Sequence, residues 1–307
     1  MARPQFISTT DSAVDAERSA SPTSPDAVLP DGGAILSVSV VTYRPDLEEL
    51  AATFRSLVVS FGVARDAGVL EGLLVEVIDN GTDDLHGLDS VLNTVFSDVP
   101  DLEARLRRGH GNVGYGRGHN LSLLGSRARY HLVLNPDVLL DADALQHAVE
   151  FLDANPRVGL LTPQVRGPSG ERQFLCRAYP SVFVLFLRGF APAPFRRLFR
   201  RYMQAHELRD RTSSDTPAMG IPLVSGCFMF GRRDVLQRVG GFSPSYFMYF
   251  EDSDLSLAVG REAEVAYVPA VRIVHAGGGA ARKGLRHTRM FMRSAYTFFS
   301  RNGWRLV

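Results

Sequence analysis

Four stretches of the sequence carry side chains whose types and spacing could support catalysis. In the first, Asn135-Pro136-Asp137 follows the apolar run at residues 131–134. This run predicts a short buried strand, and Pro136 ends it because proline cannot donate a hydrogen bond to a sheet. An amide and a carboxylate at a strand tip suit a divalent cation that holds phosphate oxygens. Ordinary turn chemistry explains the same residues equally well.

The second stretch is an acidic cluster made of Glu251, Asp252 and Asp254. Neighbouring carboxylates raise one another's pKa, and the start of a helix, predicted here over residues 255–260, offsets part of that cost. A solvated helix cap would explain the cluster without any chemistry. The residues just before it include four aromatic side chains: Tyr246, Phe247, Tyr249 and Phe250. An apolar wall of this kind favours a carboxylate tuned as a general base.

The third stretch is rich in glycine and covers residues 109–120, before a predicted helix at residues 120–129. Glycine lets a backbone approach a ligand closely, and a helix start favours an anion. A dinucleotide-binding fingerprint is a poor alternative, because that motif opens the first strand–helix–strand unit and this stretch lies later. A flexible surface loop is the other alternative.

The fourth stretch is His275, which ends a short predicted strand and precedes Ala276 and three glycines. A single histidine at a strand end is more often structural than a ligand. The same position at a strand end nevertheless makes it a candidate for the site that the other stretches suggest.

The elements that must position these residues alternate between strands and helices. Strands are predicted at residues 35–43, 73–79, 131–134, 158–162, 223–230, 265–269 and 271–275. Helices are predicted from a cap at Asp46, over residues 85–96, from Asp141 or Asp143 to about residue 155, and from Asp234. Strand, helix and strand joined by short connections predict right-handed crossovers and a parallel sheet in the α/β class.

Composition and charge limit the organisation of the 307 residues. The net charge of +1 gives no general attraction for nucleic acid, and two distant cysteines fit a reducing compartment. Residues 1–33 are predicted to be disordered or loosely ordered, and residues 34–280 to form one domain with an irregular insertion at 163–221. Residues 281–307 are predicted to form a basic amphipathic helix.

The insertion contains a segment, residues 182–202, in which phenylalanine and leucine interleave with five arginines. Such a segment suits the interface between water and anionic lipid, although a loop that covers substrate, or a helix that packs on the core with a solvated basic face, is an equal alternative. No apolar run is long enough to span a bilayer, and the N-terminus lacks a secretory signal. We therefore expect a cytoplasmic protein that touches a membrane surface.

Seven motifs in order resemble family 2 glycosyltransferases of the GT-A fold, in the rhamnosyltransferase-like branch that builds bacterial cell-surface glycans. They are VSVVTY (38–43), IDNG (78–81), GNVGYGRGHN (111–120), LNPDV (134–138), SGCFMF (225–230), YFMYFEDSDL (246–255) and HAGG (275–278). The resemblance implies a Rossmann-like, mostly parallel central sheet flanked by helices, followed by the basic C-terminal helical extension.

The same resemblance implies roles for individual residues. The nucleotide sugar would contact Thr42, Tyr43, Arg44, Asp79, Asn80, Gly114, Arg117, Asn120, Asn135 and Asp137. A divalent metal, Mg²⁺ or Mn²⁺, would bind Asp137 and His275. Asp252 would be the catalytic base, supported by Glu251 and Asp254. Asn-Pro-Asp stands here where many relatives have Asp-x-Asp, so one carboxylate is missing from the metal motif.

The implied activity is inverting, metal-dependent transfer of a sugar to a hydroxyl of a lipid-linked or polysaccharide acceptor. The donor implied is a nucleotide diphosphate sugar, with dTDP-rhamnose as the first candidate, in O-antigen and lipopolysaccharide biosynthesis. An anionic membrane surface, on the cytoplasmic face of the inner membrane, is a further candidate partner. One alternative is a nucleotide-sugar-binding component of a glycan-assembly complex without catalysis. A dinucleotide-dependent oxidoreductase is disfavoured, because the early glycine fingerprint is missing.

Overall fold

The computed structural model describes residues 34–277 and 284–307. The strands are β1 (Ile35–Thr42), β2 (Gly72–Asp79), β3 (Leu102–Arg107), β4 (Tyr130–Leu134), β5 (Val138–Leu140), β6 (Val158–Arg166), β7 (Arg172–Gln173), β8 (Ala218–Met219), β9 (Phe228–Arg232) and β10 (Glu264–His275). The helices are α1 (Leu47–Asp66), α2 (Leu85–Phe96), α3 (Tyr115–Leu123), α4 (Ala144–Ala154), α5 (Val182–Gly189), α6 (Ala193–Leu198), α7 (Arg200–His206), α8 (Arg209–Thr212), α9 (Arg233–Arg238), α10 (Glu251–Glu262) and α11 (Gly284–Asn302).

The strands form one sheet in the order β3-β2-β1-β4-β9-β6-β10-β5, with β7 beside β6 and β8 beside β10. β1 is parallel to β2 and β4, β2 is parallel to β3, and β6 is parallel to β10. β9 runs antiparallel to β4 and β6, so these two neighbours of β9 point the same way. The carboxyl ends of β1, β2, β4, β6 and β10 therefore meet at one edge of the sheet. The predicted mostly parallel α/β sheet is confirmed.

Helices cover both faces of the sheet. On one face α1, α2 and α4 bury a large apolar core, and on the other α3, α9 and α10 bury a smaller one. All eight residues of β1 are buried, as expected for a strand covered on both sides. Asp46 caps α1 as predicted, since its carboxylate accepts hydrogen bonds from the amides of Glu48 and Glu49.

Several element boundaries differ from those predicted. β3 and β5 were not predicted, and β10 is a single strand with an irregularity between Val268 and Arg272. Helix α3 begins at Tyr115, five residues before the predicted start at Asn120. Its glycines allow the first turn to pack closely against neighbouring side chains. A Cβ atom on Gly116 would lie 2.8 Å from Cβ of Phe242, so the helix can approach that ring only through glycine.

Two further differences lie at the candidate site. β9 begins at Phe228, whereas the sequence predicted a strand from Leu223, and a turn occupies the residues just before it. Helix α10 begins at Glu251, whereas the sequence predicted a start at Leu255. The acidic cluster therefore lies inside the first helical turn, where the orientation of each carboxylate is fixed by the helix.

The insertion at 163–221 is more regular than predicted, because β6 continues to Arg166 and four short helices, α5 to α8, follow. In the tail, α11 packs Ala295, Phe298 and Phe299 against Tyr246 and Phe250. The apolar face of this helix is therefore part of the protein interior.

The predicted N-terminal segment at 1–33 lies outside the described residues, as do residues 278–283, which include two of the glycines after His275. Within the described ranges, no helix combines the length and the apolar character that crossing a bilayer requires.

Candidate active site

The strand ends bring the first and fourth candidate stretches together. β5 begins directly after Asp137 and pairs with β10 so that Val138 faces His275. This pairing holds Asp137 beside His275, with 3.5 Å between the carboxylate Oδ2 and the imidazole Nε2. The amide of Asn135 donates to the carbonyl of Cys227, at 2.9 Å, which ties the corner to the turn before β9.

The Asp137–His275 corner contains polar atoms that lack protein partners. The Oδ1 atom of Asp137 and both ring nitrogens of His275 are buried without a hydrogen bond to any described residue. Burial raises the pKa of Asp137, but the neighbouring His275 imidazole, together with weaker local polar contacts, outweighs burial and keeps the pKa below its ordinary value. A Cβ atom on Gly277 would lie 2.4 Å from the His275 ring, so glycine is required against this corner.

The donor set fits a divalent cation that also binds a ligand. Among the residues that the structure describes, no group of three or more His, Cys, Asp or Glu side chains is arranged to hold a metal. Mg²⁺ and similar ions are often held by one or two protein ligands, with phosphate oxygens and waters completing the shell. The unpartnered oxygen of Asp137 and the free imidazole of His275 can therefore supply the protein share of such a site.

The acidic cluster lies at the start of α10, on the same side of the molecule. Tyr249 and Phe250, just before it, have positive φ angles of 71° and 66°. Two successive non-glycine residues in the left-handed region strain the backbone by roughly 1–2 kcal/mol each. Such strained residues cluster at functional sites. The strained turn sets the direction in which Glu251 and Asp252 leave the helix.

Glu251 and Asp252 are adjacent but have different surroundings. Asp252 accepts hydrogen bonds from the amide of Gly226, at 3.0 Å, and from the amide of Ser253, at 2.7 Å. Burial raises its pKa and these bonds partly oppose the rise. Burial and the charge of Asp252 raise the pKa of Glu251 to about 8, and its Oε2 atom is buried without a partner among the described residues. Glu251 therefore favours its protonated form at neutral pH, because a second buried negative charge beside Asp252 is costly.

Asp254 points away from this pair, towards α11. Its carboxylate accepts hydrogen bonds from the Tyr246 hydroxyl, at 3.2 Å, and from the Asn302 amide, at 2.8 Å, and lies 3.8 Å from Arg301. These contacts anchor the C-terminal helix. None of these contacts joins Asp254 to Asp252 or Glu251, so its predicted supporting role in catalysis stays a prediction.

Tyr115 connects Asn135, beside the Asp137–His275 corner, to the turn that holds Asp252, and the sequence did not single this tyrosine out. Its buried hydroxyl lies 3.0 Å from Oδ1 of Asn135 and 2.6 Å from the carbonyl of Gly226, whose amide donates to Asp252. Burial, then the charge of Glu251 and other acids, raises the pKa of Tyr115 well above its ordinary value. The available signal was its place within the glycine-rich stretch, which was expected to lie close to a ligand.

The ends of β1 and β2 hold five of the predicted nucleotide contacts. Thr42 pairs with Asp79 in the parallel ladder, and Oγ1 of Thr42 is buried without a partner among the described residues. The Asp79 carboxylate accepts from the Gly81 amide and the Thr82 hydroxyl, so its Oδ1 atom shapes the turn after β2. Asn80 donates to the carbonyl of Gly114, at 3.0 Å, and draws the glycine-rich stretch to this edge.

Tyr43 and Arg44 form the exposed rim of the same edge. The Arg44 guanidinium lies 5.5 Å from the centre of the Tyr43 ring and pairs with Asp83 at 3.1 Å. Tyr43 is 54% exposed, so its ring is free to contact a planar ligand. Gly81 packs against this ring, since a Cβ atom there would lie 3.3 Å from it.

Arg117 and Asn120 have structural contacts instead of free ends. The Arg117 guanidinium donates to the carbonyl of Pro244, and Asn120 exchanges hydrogen bonds with the backbone of Phe242. Both residues fasten α3 to the segment before the acidic cluster. The structure thus separates them from the unpartnered groups at the strand ends, and their contact with a nucleotide stays a prediction.

The sequence suggested that the four aromatic residues before the cluster form a wall against the carboxylates. In the structure they lie in different directions. Tyr246 and Phe250 pack against α11, and the Tyr249 hydroxyl lies 2.9 Å from Nδ1 of His287. The carbonyl of Phe247 accepts from the amide of Tyr115 at 3.0 Å. The Asp252 carboxylate is held instead by the amides of Gly226 and Ser253.

Comparison with known proteins adds to this geometry. The chain is 28% identical over 289 residues to N-acetylglucosaminyl-diphospho-decaprenol L-rhamnosyltransferase of Mycobacterium tuberculosis (strain CDC 1551 / Oshkosh), covering 88% of this chain and 86% of that protein. It is 24% identical over 177 residues to rhamnosyltransferase WbbL of Escherichia coli (strain K12), covering 54% of this chain and 61% of that protein. No family model matches the chain.

Among solved structures, GalNAc-T7 with UDP, GalNAc and Mn²⁺ is similar in fold, with a TM-score of 0.57 and 12% sequence identity. The similarity covers 88% of this chain and 51% of that chain, so this chain matches about half of the solved structure. The predicted GT-A fold and the resemblance stated from the seven motifs are confirmed.

Proposed function

Because the chain is a rhamnosyltransferase-like glycosyltransferase of family 2 with the GT-A fold, we propose that it transfers rhamnose from dTDP-rhamnose to a lipid-linked acceptor. The observation that carries the proposal is the position of Tyr115. Its hydroxyl contacts Asn135 of the metal corner and the carbonyl of Gly226, while the Gly226 amide donates to Asp252. A diphosphate site and a general base within one hydrogen-bonded group are what sugar transfer needs.

Asp252 acts as the base in this proposal. Its carboxylate takes the proton of the acceptor hydroxyl as that oxygen attacks the anomeric carbon of the donor. The bond from the anomeric carbon to the diphosphate breaks in the same step, so its electron pair leaves with the diphosphate and the configuration inverts. Burial strengthens Asp252 as a base by raising its pKa, and protonation of Glu251 limits the repulsion between the two.

The strand-end residues hold the donor. Thr42, Tyr43 and Asp79 would bind the nucleoside, with the exposed Tyr43 ring against the base. Asp137 and His275 would hold Mg²⁺ or Mn²⁺, which supplies positive charge to stabilise the leaving diphosphate. The missing carboxylate of the Asn-Pro-Asp motif leaves Asn135 to contribute a neutral amide oxygen, so fewer protein charges hold the ion.

The acceptor is suggested by the name of the Mycobacterium tuberculosis relative. The Mycobacterium tuberculosis protein is named for an N-acetylglucosaminyl diphosphate attached to decaprenol, and we extend that acceptor class to this chain. A lipid-linked acceptor requires contact with a membrane surface. Exposed arginines and aromatic residues on α5 to α7 and on α11 suit anionic headgroups. We place the protein on the cytoplasmic face of the inner membrane, where its two free cysteines would stay reduced.

A direct test uses purified protein, dTDP-rhamnose, Mg²⁺ and N-acetylglucosaminyl diphosphate on a short isoprenoid. We expect release of dTDP that depends on acceptor, and an inverted anomeric centre in the product by NMR. Saturable dTDP binding without acceptor-dependent turnover would instead support a binding component without catalysis. Sedimentation with anionic vesicles at low salt tests the membrane contact separately, and protein that stays in the supernatant would exclude it.

A further inference from the structure

The structure contains a cavity that none of the candidate site residues lines. It has a volume of about 820 Å³ and lies between α6, α7 and the start of α8. Arginine dominates its lining, which comprises Ala193, Pro194, Arg196, Arg197, Arg200, Met203, Gln204, Glu207 and Arg209. Pockets of this volume bind small organic ligands.

Three of the four arginines that line the cavity have no acidic partner among the described residues. The side chains of Arg196, Arg197 and Arg200 make no hydrogen bond or ion pair with any described residue, and all three are exposed. Glu207 is the acidic residue in the lining, and Arg209 already binds it through two hydrogen bonds of 2.8 and 2.6 Å. Three guanidinium groups that converge without a counter-charge are suited to an anion with several oxygens, because guanidinium binds phosphate through paired hydrogen bonds.

Two residues near the end of α7 also lie in a positively charged environment. Burial, followed by the charge of Arg188, lowers the pKa of Arg177 to about 10. Burial, followed by Arg188 and Arg177, lowers the pKa of His206 to about 4. Neither residue lines the cavity, but both show that positive charge prevails in this part of the protein.

Apolar side chains lie next to the charged lining. Phe190 on the turn after α5 is 57% exposed, and Leu198 at the end of α6 is 74% exposed. Phe186 and Phe195 are also exposed. A large exposed apolar group beside unpaired arginines indicates a ligand that has both a phosphate group and a hydrocarbon part.

Hydrogen-bonded segments connect the floor of the cavity to the acidic pair. The carbonyl of His206, at the end of α7, accepts from the amide of Ala178 at 2.8 Å. The next residue, Arg177, forms a bridge with Leu223. Beyond it the amide of Val224 donates to Ser256, whose hydroxyl donates to the carbonyl of Asp252 at 2.7 Å. These hydrogen bonds thus lead from the end of α7, next to the cavity, through three chain segments to Asp252.

We propose that the cavity lined by Arg196, Arg197 and Arg200 binds the diphosphate group of the lipid-linked acceptor. The exposed Phe186, Phe190, Phe195 and Leu198 would contact the start of its hydrocarbon chain. The proposal rests on the proposed function for the identity of the acceptor. It adds a binding site that is separate from the donor site at Asp137 and that would select acceptors by their diphosphate.

The test measures binding of geranyl diphosphate to the full chain by calorimetry, with saturating dTDP and Mg²⁺ present to fill the donor site. The cavity variant is Arg196→Gln/Arg197→Gln/Arg200→Gln. The control variant, Arg55→Gln/Arg127→Gln/Arg157→Gln, removes the same charge from exposed arginines that have no proposed binding role. All six side chains are exposed, so we expect both variants to fold, which their melting temperatures will check.

We expect the wild type and the control variant to bind equally, and the cavity variant to bind on the order of tenfold or more weakly, since each arginine–phosphate contact is charge-assisted. Free pyrophosphate should bind more weakly than geranyl diphosphate if the apolar rim contributes, and geraniol should not bind. Equal binding by all three proteins, equal loss in both variants, or no binding by the wild type would overturn the proposal. Binding at the cavity without any sugar transfer would instead count against the proposed function alone.

Discussion

Asp252 and Asp254 lie two residues apart in the first turn of α10, but the fold gives them opposite surroundings. Asp252 accepts a hydrogen bond from the Gly226 amide at the sheet edge, whereas Asp254 accepts from Tyr246 and Asn302 beside α11. Two residues rotate a helix by roughly 200°, so two acids at this spacing necessarily point in different directions. One acidic motif therefore contains a group suited to catalysis and a group that stabilises the fold.

Because Asp252 is the acid that faces the sheet edge, we expect Asp252→Asn to abolish most sugar transfer. Asparagine keeps the shape and can still accept the hydrogen bond from Gly226, but it cannot take a proton. We expect turnover to fall on the order of a hundredfold or more, with dTDP affinity unchanged. Steady-state kinetics and calorimetry measure the two quantities. Near-normal turnover would remove Asp252 from the role of base.

Asp137→Ala tests the donor half of the site. Without metal, the Asp137 carboxylate repels a diphosphate, so the variant should bind dTDP in EDTA at least as well as the wild type. With Mg²⁺ or Mn²⁺ the wild type should gain affinity and the variant should not, and turnover should fall roughly 10- to 100-fold. A metal effect of the same size in both proteins would show that Asp137 does not hold the ion.

Tyr115→Phe tests the connection between the two halves. Loss of the hydroxyl leaves the Gly226 carbonyl and Asn135 without their partner and loosens the turn that orients Asp252. We expect about a tenfold lower kcat with little change in KM for the donor, as for a positioning residue. Tyr130→Phe is the matched control, because the hydroxyl of this buried tyrosine bonds Asp153 away from the site. An equal effect of both variants on kcat would mean a general loss of packing.

Glu251→Gln tests the shared charge of the acidic pair. The pKa of Glu251 is about 8 in the folded protein and near its ordinary value, about 4.5, when unfolded. Between these two pH values the unfolded state has lost the proton while the folded state keeps it, so the free energy of unfolding falls as pH rises. The stability that protonated Glu251 contributes is fully lost above about pH 8. The wild-type melting temperature should therefore fall more steeply from pH 5 to pH 8 than that of the variant. Parallel curves would contradict a protonated Glu251.

Asp254→Ala should have the smallest effect on catalysis and a clear effect on stability. The change removes hydrogen bonds from Tyr246 and Asn302 and should lower the free energy of unfolding by about 1–3 kcal/mol. Turnover of the folded protein should stay within a few-fold of the wild type. Chemical denaturation and kinetics on the same preparation measure both. A loss of turnover as large as that of Asp252→Asn would erase the distinction between the two acids.

The sequence predicted the sheet edge well because parallel strands share the direction of their carboxyl ends. Thr42 and Asp79 could be placed at one edge from the first strand–helix–strand unit, whereas His275 was placed there by the resemblance, because residues 265–275 were predicted as two short strands. The contact between Asp137 and His275 could not, because it depends on β5, a three-residue strand whose pairing with β10 has no local signal.

The side-chain directions of the acidic cluster were beyond the sequence for a similar reason. The predicted start of α10 was four residues late, and the direction of each carboxylate depends on where the helix begins. The glycine-rich stretch was predicted as a loop because glycine disfavours helices, but the packing of Gly116 against Phe242 overrides that preference. That misplacement also hid Tyr115, the first residue of α3.

Crystals of the protein with dTDP and Mn²⁺, measured at the manganese absorption edge, would show whether Asp137 and His275 hold the ion beside the diphosphate. We expect one strong anomalous peak within about 2.0–2.3 Å of both the Asp137 carboxylate and the His275 imidazole. The diphosphate should lie on the same ion, with the Asp252 carboxylate facing the same cleft. A manganese peak away from Asp137 and His275, or a diphosphate bound on another surface, would contradict the account.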